Sequence, residues 1–257
     1  PRGYDPSDDE LDRIVELYDL YDQTGGQVED ELKAVDLDAA LKKSVRTAFS
    51  KTYADRQLAP LRERLLDGIG DCPICGIDPA TELDHFLPKS SFEVLAIYSR
   101  NLVPMCTACN KEKSSDVPKD RTEEFVHAYF DILPDIDFLV AQIDLNHQGL
   151  DVKFVFGPAA DLPDQLRQRL SNQFEQLGLE KRYRREINLY VGAHAVSFHG
   201  LFEAGGSEAV KAWLQRQTVQ ETHRFHRNDW RASVFRALAE HDEFCDGGFA
   251  VAFPLLE

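Results

Sequence analysis

The sequence predicts an α+β protein. Three observations carry that expectation: apolar residues at helical spacing near the N-terminus, a cysteine- and proline-bearing middle without helical period, and a pair of β-type runs followed by long helical stretches. The 257 residues are 43% hydrophobic and 29% charged, enough to build a core and keep a polar surface.

The first helix is expected over residues 7–22. Ser7 can cap it, with Glu10 three residues on to close a capping box. Leu11, Ile14, Val15, Leu17 and Tyr18 supply the apolar spacing, and Gly25-Gly26 breaks it. A second helical stretch is expected over 36–66, in two pieces around Ala59-Pro60. Together these form an N-terminal helical segment, residues 1–70. Residues 71–119 form a distinct middle segment, and residues 120–257 form an α+β region. In that last region two strands, 137–144 and 150–156, are joined by Asn146-His-Gln-Gly149, and Gly157-Pro158 ends the second. Helices are expected over 162–177, 181–202 and 208–239, the last with breaks.

The net charge of −16 argues against broad clinging to nucleic acid or anionic membrane. No apolar run reaches about 18 residues, so no transmembrane helix is expected. The opening PRGYDPSDDE is polar and acidic, unlike a signal peptide, and a cytoplasmic location is expected. Two stretches run against the acidic balance. One holds Arg167, Arg169, Lys181, Arg182, Arg184 and Arg185; the other runs from Lys211 to Arg236. They read either as helix faces balancing acidic neighbours or as phosphate-contacting faces.

Four of the five cysteines form two C-x-x-C pairs, Cys72/Cys75 and Cys106/Cys109, while Cys245 stands alone. Two intervening residues let both sulfurs reach one tetrahedral ion, and two such turns complete a four-thiolate zinc site with no open position for chemistry. Gly76 suits the tight turn after the first pair. A redox dithiol is the competing reading, but two copies without a βαβ pattern favour zinc.

Between the pairs stand LDHFLPKS, with Asp84, His85 and Lys89, and NLVPMC, with Asn101; Asn110 follows the second pair directly, then Lys111 and Lys113. Adjacent Asp84 and His85 on a strand would point to opposite sides, and a bend near Pro88 is needed to bring both to one pocket. An Asp offers a hard oxygen to a divalent ion, and a His offers a base that titrates near neutrality. Each residue also has an ordinary reading: Asp84 as a turn cap, His85 as a satisfied core histidine, Asn101 as a turn residue. Asn110 could be a helix N-cap, and the lysines a solvated helix face.

The order C-x-x-C, D-H, N-L-V-P-x-C-x-x-C, Asn, Lys resembles the HNH endonuclease family over roughly Cys72 to Ser114. The resemblance implies a ββα-metal core, treble-clef-like around its zinc, lying between the helical segment and the C-terminal region. It implies His85 as general base, Asp84 and Asn110 as oxygen ligands of a catalytic magnesium or manganese ion, and Asn101 as the residue that fixes the loop and orients His85. Lys89, Lys111 and Lys113 become phosphate contacts. The last motif position is His in many members and Asn here, a variant that the family also contains. The expected function is hydrolysis of nucleic-acid phosphodiesters, DNA first and RNA second. The alternative is a catalytically inactive, zinc-clamped nucleic-acid or protein-binding module. The layout around the core further resembles HNH effectors of bacterial antiphage loci such as Septu-type systems, which implies an ATPase partner docking on the flanks.

Overall fold

The computed structural model describes residues 4–113, 115–157 and 162–255. The chain is mixed helix and strand and divides into two compact units, Pro1–Ile132 and Leu133–Glu257. The N-terminal helices and the cysteine-bearing segment share the first unit.

Helix α1, Asp8–Gln23, begins as its sequence dictates. Ser7 Oγ accepts from the Glu10 amide, and Glu10 returns the bond to the Ser7 amide at 2.9 Å. Its buried stripe is Ile14, Leu17 and Tyr21. Leu11 and Val15 stay exposed, because they share a face four residues apart that looks away from this core. The stripe packs with Leu32, Leu41, Leu87, Phe92 and Leu95, so α1 supports the loop that follows the Asp84-His85 pair.

The helical stretch expected over 36–66 breaks earlier than Ala59-Pro60. Helix α2, Ala39–Ala48, capped by Asp38, runs into a 3-10 turn at Phe49–Thr52, and α3 spans Ala59–Leu66. Pro60 opens α3, since its missing N–H falls among amides that have no helical partner anyway. Leu61, Leu65 and Leu66 of α3 pack on Phe49, Leu83 and Leu102.

Strands β1, Glu82–His85, and β2, Leu102–Met105, pair antiparallel with Asp84 opposite Val103 and His85 opposite Leu102. Helix α4, Thr107–Glu112, follows β2 directly, with Cys106 as its N-cap.

In the second unit, β3 (Leu139–Asn146) and β4 (Gly149–Phe156) form the expected hairpin, but β3 starts two residues later than expected and both strands run into the connection, Asn146 opposite Gly149. Pro158, expected to end the second strand with Gly157, lies outside the described residues. Around the hairpin stand α5 (Asp164–Gln176), α6 (Leu179–Gly192), α7 (Ala195–Arg224), α8 (Trp230–Ala239) and α9 (Phe249–Ala252). The stretch expected as one helix over 181–202 breaks at Ala193-His194. The helix expected to start at residue 208 instead continues across a kink at Gly205-Gly206, where Gly206 takes φ +65°. Side chains occupy part of each outer edge of the hairpin. Ser233 Oγ takes the Ala141 amide at 3.0 Å and donates to the Leu139 carbonyl at 2.8 Å. Asn188 bonds both backbone groups of Leu150, at 2.8 and 2.9 Å.

Candidate metal centre and adjoining cavity

Cys72, Cys75, Cys106 and Cys109 are buried, and their sulfurs all lie within 4.8 Å of one another. A zinc tetrahedron with Zn–S bonds of about 2.3 Å has an S–S edge of about 3.8 Å. Cys75 and Cys106 stand at 3.8 Å. The local sequence makes this cluster. Gly76, at φ +61°, turns the chain so that its amide reaches the Cys72 carbonyl at 2.8 Å. On the other side, the Cys109 amide donates to Cys106 Sγ at 3.3 Å as α4 begins. The donor set and spacing fit one tetrahedral ion, and four thiolates suit zinc.

Beside this cluster opens a cavity of about 350 Å³, lined among others by Glu82, Asp84, His85, Lys89, Asn110 and Lys113. Asp84 and His85 alternate across β1, as strand geometry requires, yet both reach the cavity because β1 ends at His85. Asn110 is brought there by α4, one residue past the cysteine that fixes the start of the helix.

His85 is buried, and its ring meets Phe49 at 4.3 Å. Its Nε2 lies 3.0 Å from the Ala96 carbonyl. A carbonyl can only accept, so Nε2 carries the proton and Nδ1 carries the lone pair of the neutral ring. Burial pushes the His85 pKa down to about 4.

Asp84 is held above the usual carboxylate range by burial, against the pull of Lys113. The Lys113 ammonium stands 2.7 Å from Asp84 Oδ2, and it also donates to the carbonyls of His85 (2.9 Å) and Phe86 (3.3 Å). The ammonium is thus the charge partner of that buried oxygen. Lys113, expected at a phosphate, therefore turns its charge inward. Asn110 Nδ2 donates to Glu82 Oε2, and Thr107 donates to Glu82 Oε1 at 2.7 Å.

Asn101 is fully buried and lies behind the cavity, not on its wall. Its Oδ1 accepts from the Leu87 amide at 2.8 Å, and its Nδ2 donates to the carbonyls of Leu87 and Leu95 at 3.1 and 3.2 Å. Its own carbonyl accepts from the Phe86 amide. One side chain thus closes the loop 87–95 that carries Lys89. Tyr21 Oη donates to Asn101 Oδ1 at 3.1 Å and meets His127 Nε2 at 2.9 Å. His127 Nδ1 accepts from the Tyr129 amide, so Nε2 bears the proton and the bonds run one way, from His127 through Tyr21 to Asn101.

Lys111 is exposed and does not line the cavity. Several basic residues of the second unit are spent on acidic neighbours: Arg227 on Asp135 and Asp137, Arg236 on Asp137, Arg231 on Asp229, Arg184 on Asp151. Residues that the motif did not supply also line the cavity: Phe49, Tyr53, Arg62 and Glu82. Glu82 had a signal, since it stands two residues before Asp84 on the same strand face. The other three come from the helical segment, and only tertiary packing brings them there.

No family model matches this chain, and no solved structure matches it. It is similar to Protein ea31 of Escherichia phage lambda, 27% identical over 219 residues that cover 77% of this chain and 69% of that protein. Among the described residues, no helix is long and apolar enough to cross a membrane.

Proposed function

We propose that this chain is a metal-dependent endonuclease of the HNH kind that hydrolyses DNA phosphodiesters, with β1, β2 and α4 as its ββα core. The observation that carries the reading is His85. Its proton is held on Nε2 by the Ala96 carbonyl, its Nδ1 lone pair is left for a proton in transit, and the residue lines a cavity shared with Asp84 and Asn110. A positioned neutral imidazole is the usual general base for activating water.

The cavity's donors fit a hard divalent cation. Asp84 and Asn110 line the cavity and carry the oxygen chemistry that magnesium or manganese prefers. Such an ion, when bound, supplies charge neutralisation at the reacting phosphate. The chain's own groups do the remainder. His85 Nδ1 takes the proton of the attacking water. The Ala96 carbonyl holds the ring in one tautomer. Asn101 keeps the loop 87–95 closed behind it, and the four cysteines fix the start of α4 and so the position of Asn110.

A second reading, a zinc-clamped binding module without catalysis, is favoured by one observation: the Lys113 ammonium already sits on Asp84. Cleavage of plasmid, single-stranded DNA and RNA in magnesium or manganese separates the two, run with purified wild type beside His85→Ala of matched zinc content. The nuclease reading expects metal-dependent cutting that the variant loses. Equal background from both proteins overturns it and leaves the binding module.

A further inference from the structure

The cavity has a second wall, built by the helical segment, and that wall is cationic. Tyr53 follows the 3-10 turn Phe49–Thr52, and Arg62 lies on α3, which Leu61, Leu65 and Leu66 fasten to the strand pair bearing Asp84 and His85. The guanidinium carbon of Arg62 stands 4.7 Å from the centre of the Tyr53 ring, and the Lys89 ammonium stands 4.4 Å from that of Phe49. Tyr53 meets Phe49 edge-on at 6.0 Å, and Phe49 meets His85 at 4.3 Å. Two aromatic rings therefore hold two cations and the histidine in one continuous set of contacts.

Among the described residues no carboxylate pairs with Arg62 or Lys89, although Asp84 and Glu82 line the same cavity. Lys113 absorbs Asp84, and Asn110 with Thr107 absorbs Glu82. Arg62 is also short of acceptors. Its Nη2 reaches the Thr81 carbonyl only at 3.5 Å, and its Nη1 is buried with no hydrogen-bond partner. A buried guanidinium N–H without an acceptor is costly. In a chain of net charge −16, two cations of one cavity thus stand on aromatic rings without a paired carboxylate, open to an anion from outside the chain.

We propose that Arg62, beside the Lys89 already expected at phosphate, makes this wall hold phosphate: Arg62 grips a non-bridging oxygen of the DNA phosphate presented to His85. The planar guanidinium fork matches paired phosphate oxygens, and stacking on Tyr53 fixes its plane before the substrate arrives. The helical segment is then part of the substrate site. This inference rests on the nuclease reading and extends it.

The test measures binding of a fluorescein-labelled DNA duplex by anisotropy across a potassium chloride series, in the His85→Ala background so that nothing is cut. Adding Arg62→Gln is expected to weaken binding about ten- to a hundredfold. It should also flatten the plot of log affinity against log salt by about 0.9, the share of one duplex phosphate. Zinc content and melting profile should stay those of the parent. Arg62→Lys keeps the charge and loses the fork, so it should restore the slope and only part of the affinity. Parental affinity and slope in Arg62→Gln overturn the inference. If Arg62→Gln loses its zinc, parental affinity in Arg62→Lys overturns it instead. A parent that binds no duplex at low salt overturns it as well. The nuclease reading fails separately, through equal cutting by wild type and His85→Ala, and the salt slope still decides the anion wall in that case.

Discussion

Lys113 Nζ lies 2.7 Å from Asp84 Oδ2, with exposures of 11% and 14% for the two side chains, so the chain supplies its own cation to the carboxylate nearest His85. A divalent ion binding Asp84 has to displace that ammonium or share the carboxylate with it. Removing one partner of a buried pair strands the other, at a cost of about 3–5 kcal/mol. Lys113→Met, with its zinc content matched to wild type, is therefore expected to melt well below wild type in buffer without added manganese, and to be stabilised by manganese more than wild type is. Thermal unfolding of both proteins with and without manganese checks this; equal manganese shifts would show that the lysine and the ion do not compete.

The four-cysteine cluster makes a different demand. It joins the turn before β1 to the start of α4, and the β1–β2 pairing and the bonds of Thr107 and Asn110 to Glu82 are built on that junction. Cys109→Ser, or exhaustive chelation, should unravel β1, β2 and α4 and leave the hairpin and helices of the second unit folded. Metal analysis with amide exchange resolved along the chain reads both halves of this outcome. Protection lost equally in both units would refute it.

Tyr21→Phe deletes one oxygen from a buried relay. His127 Nε2–H loses its acceptor, and Asn101 Oδ1 loses one of its two donors. Leaving such groups unsatisfied costs about 1–3 kcal/mol. Urea unfolding should show a loss of that size. The double variant with His127→Phe should lose less than the sum of the single changes, because the histidine no longer has an unmet donor.

His194 gives the second unit a pH dependence of definite sign. Burial lowers its pKa, against the weaker upward pull of Glu221. Its ring sits among Tyr190, Phe198, Trp213 and Phe235. The unfolded chain then binds the proton more readily than the folded one. The contribution of this group is complete above its unfolded pKa of about 6.5 and is lost as pH falls below it. Denaturation midpoints between neutral and mildly acidic pH should fall less steeply in His194→Asn than in wild type; parallel curves would refute the assignment.

The sequence makes some of this architecture legible because the signals are local. The Ser7–Glu10 box, the Gly76 turn, the hairpin at Asn146 to Gly149 and the cysteine pairs are set by residues a few positions apart, and all appear where expected. The cavity draws on distant segments, and there local reading falls short. Lys113 has the spacing of an exposed helix lysine, yet the end of α4 aims it at two carbonyls and Asp84. Arg62 sits in an unremarkable amphipathic helix, and no local pattern says that α3 lies against β1. Leu11 and Val15 show the converse, correct helical spacing on a face that meets nothing in this core.

The hairpin of the second unit is guarded at specific positions on each flank. A two-stranded ribbon ordinarily offers two open flanks on which another chain can lay a strand. Here Ser233 stoppers one flank at Leu139 and Ala141, and Asn188 stoppers the other at Leu150. A newcomer pairing at those positions would have to evict a side chain already bonded to the backbone. Sheet growth is therefore obstructed at Leu139 and Ala141 on one flank and at Leu150 on the other.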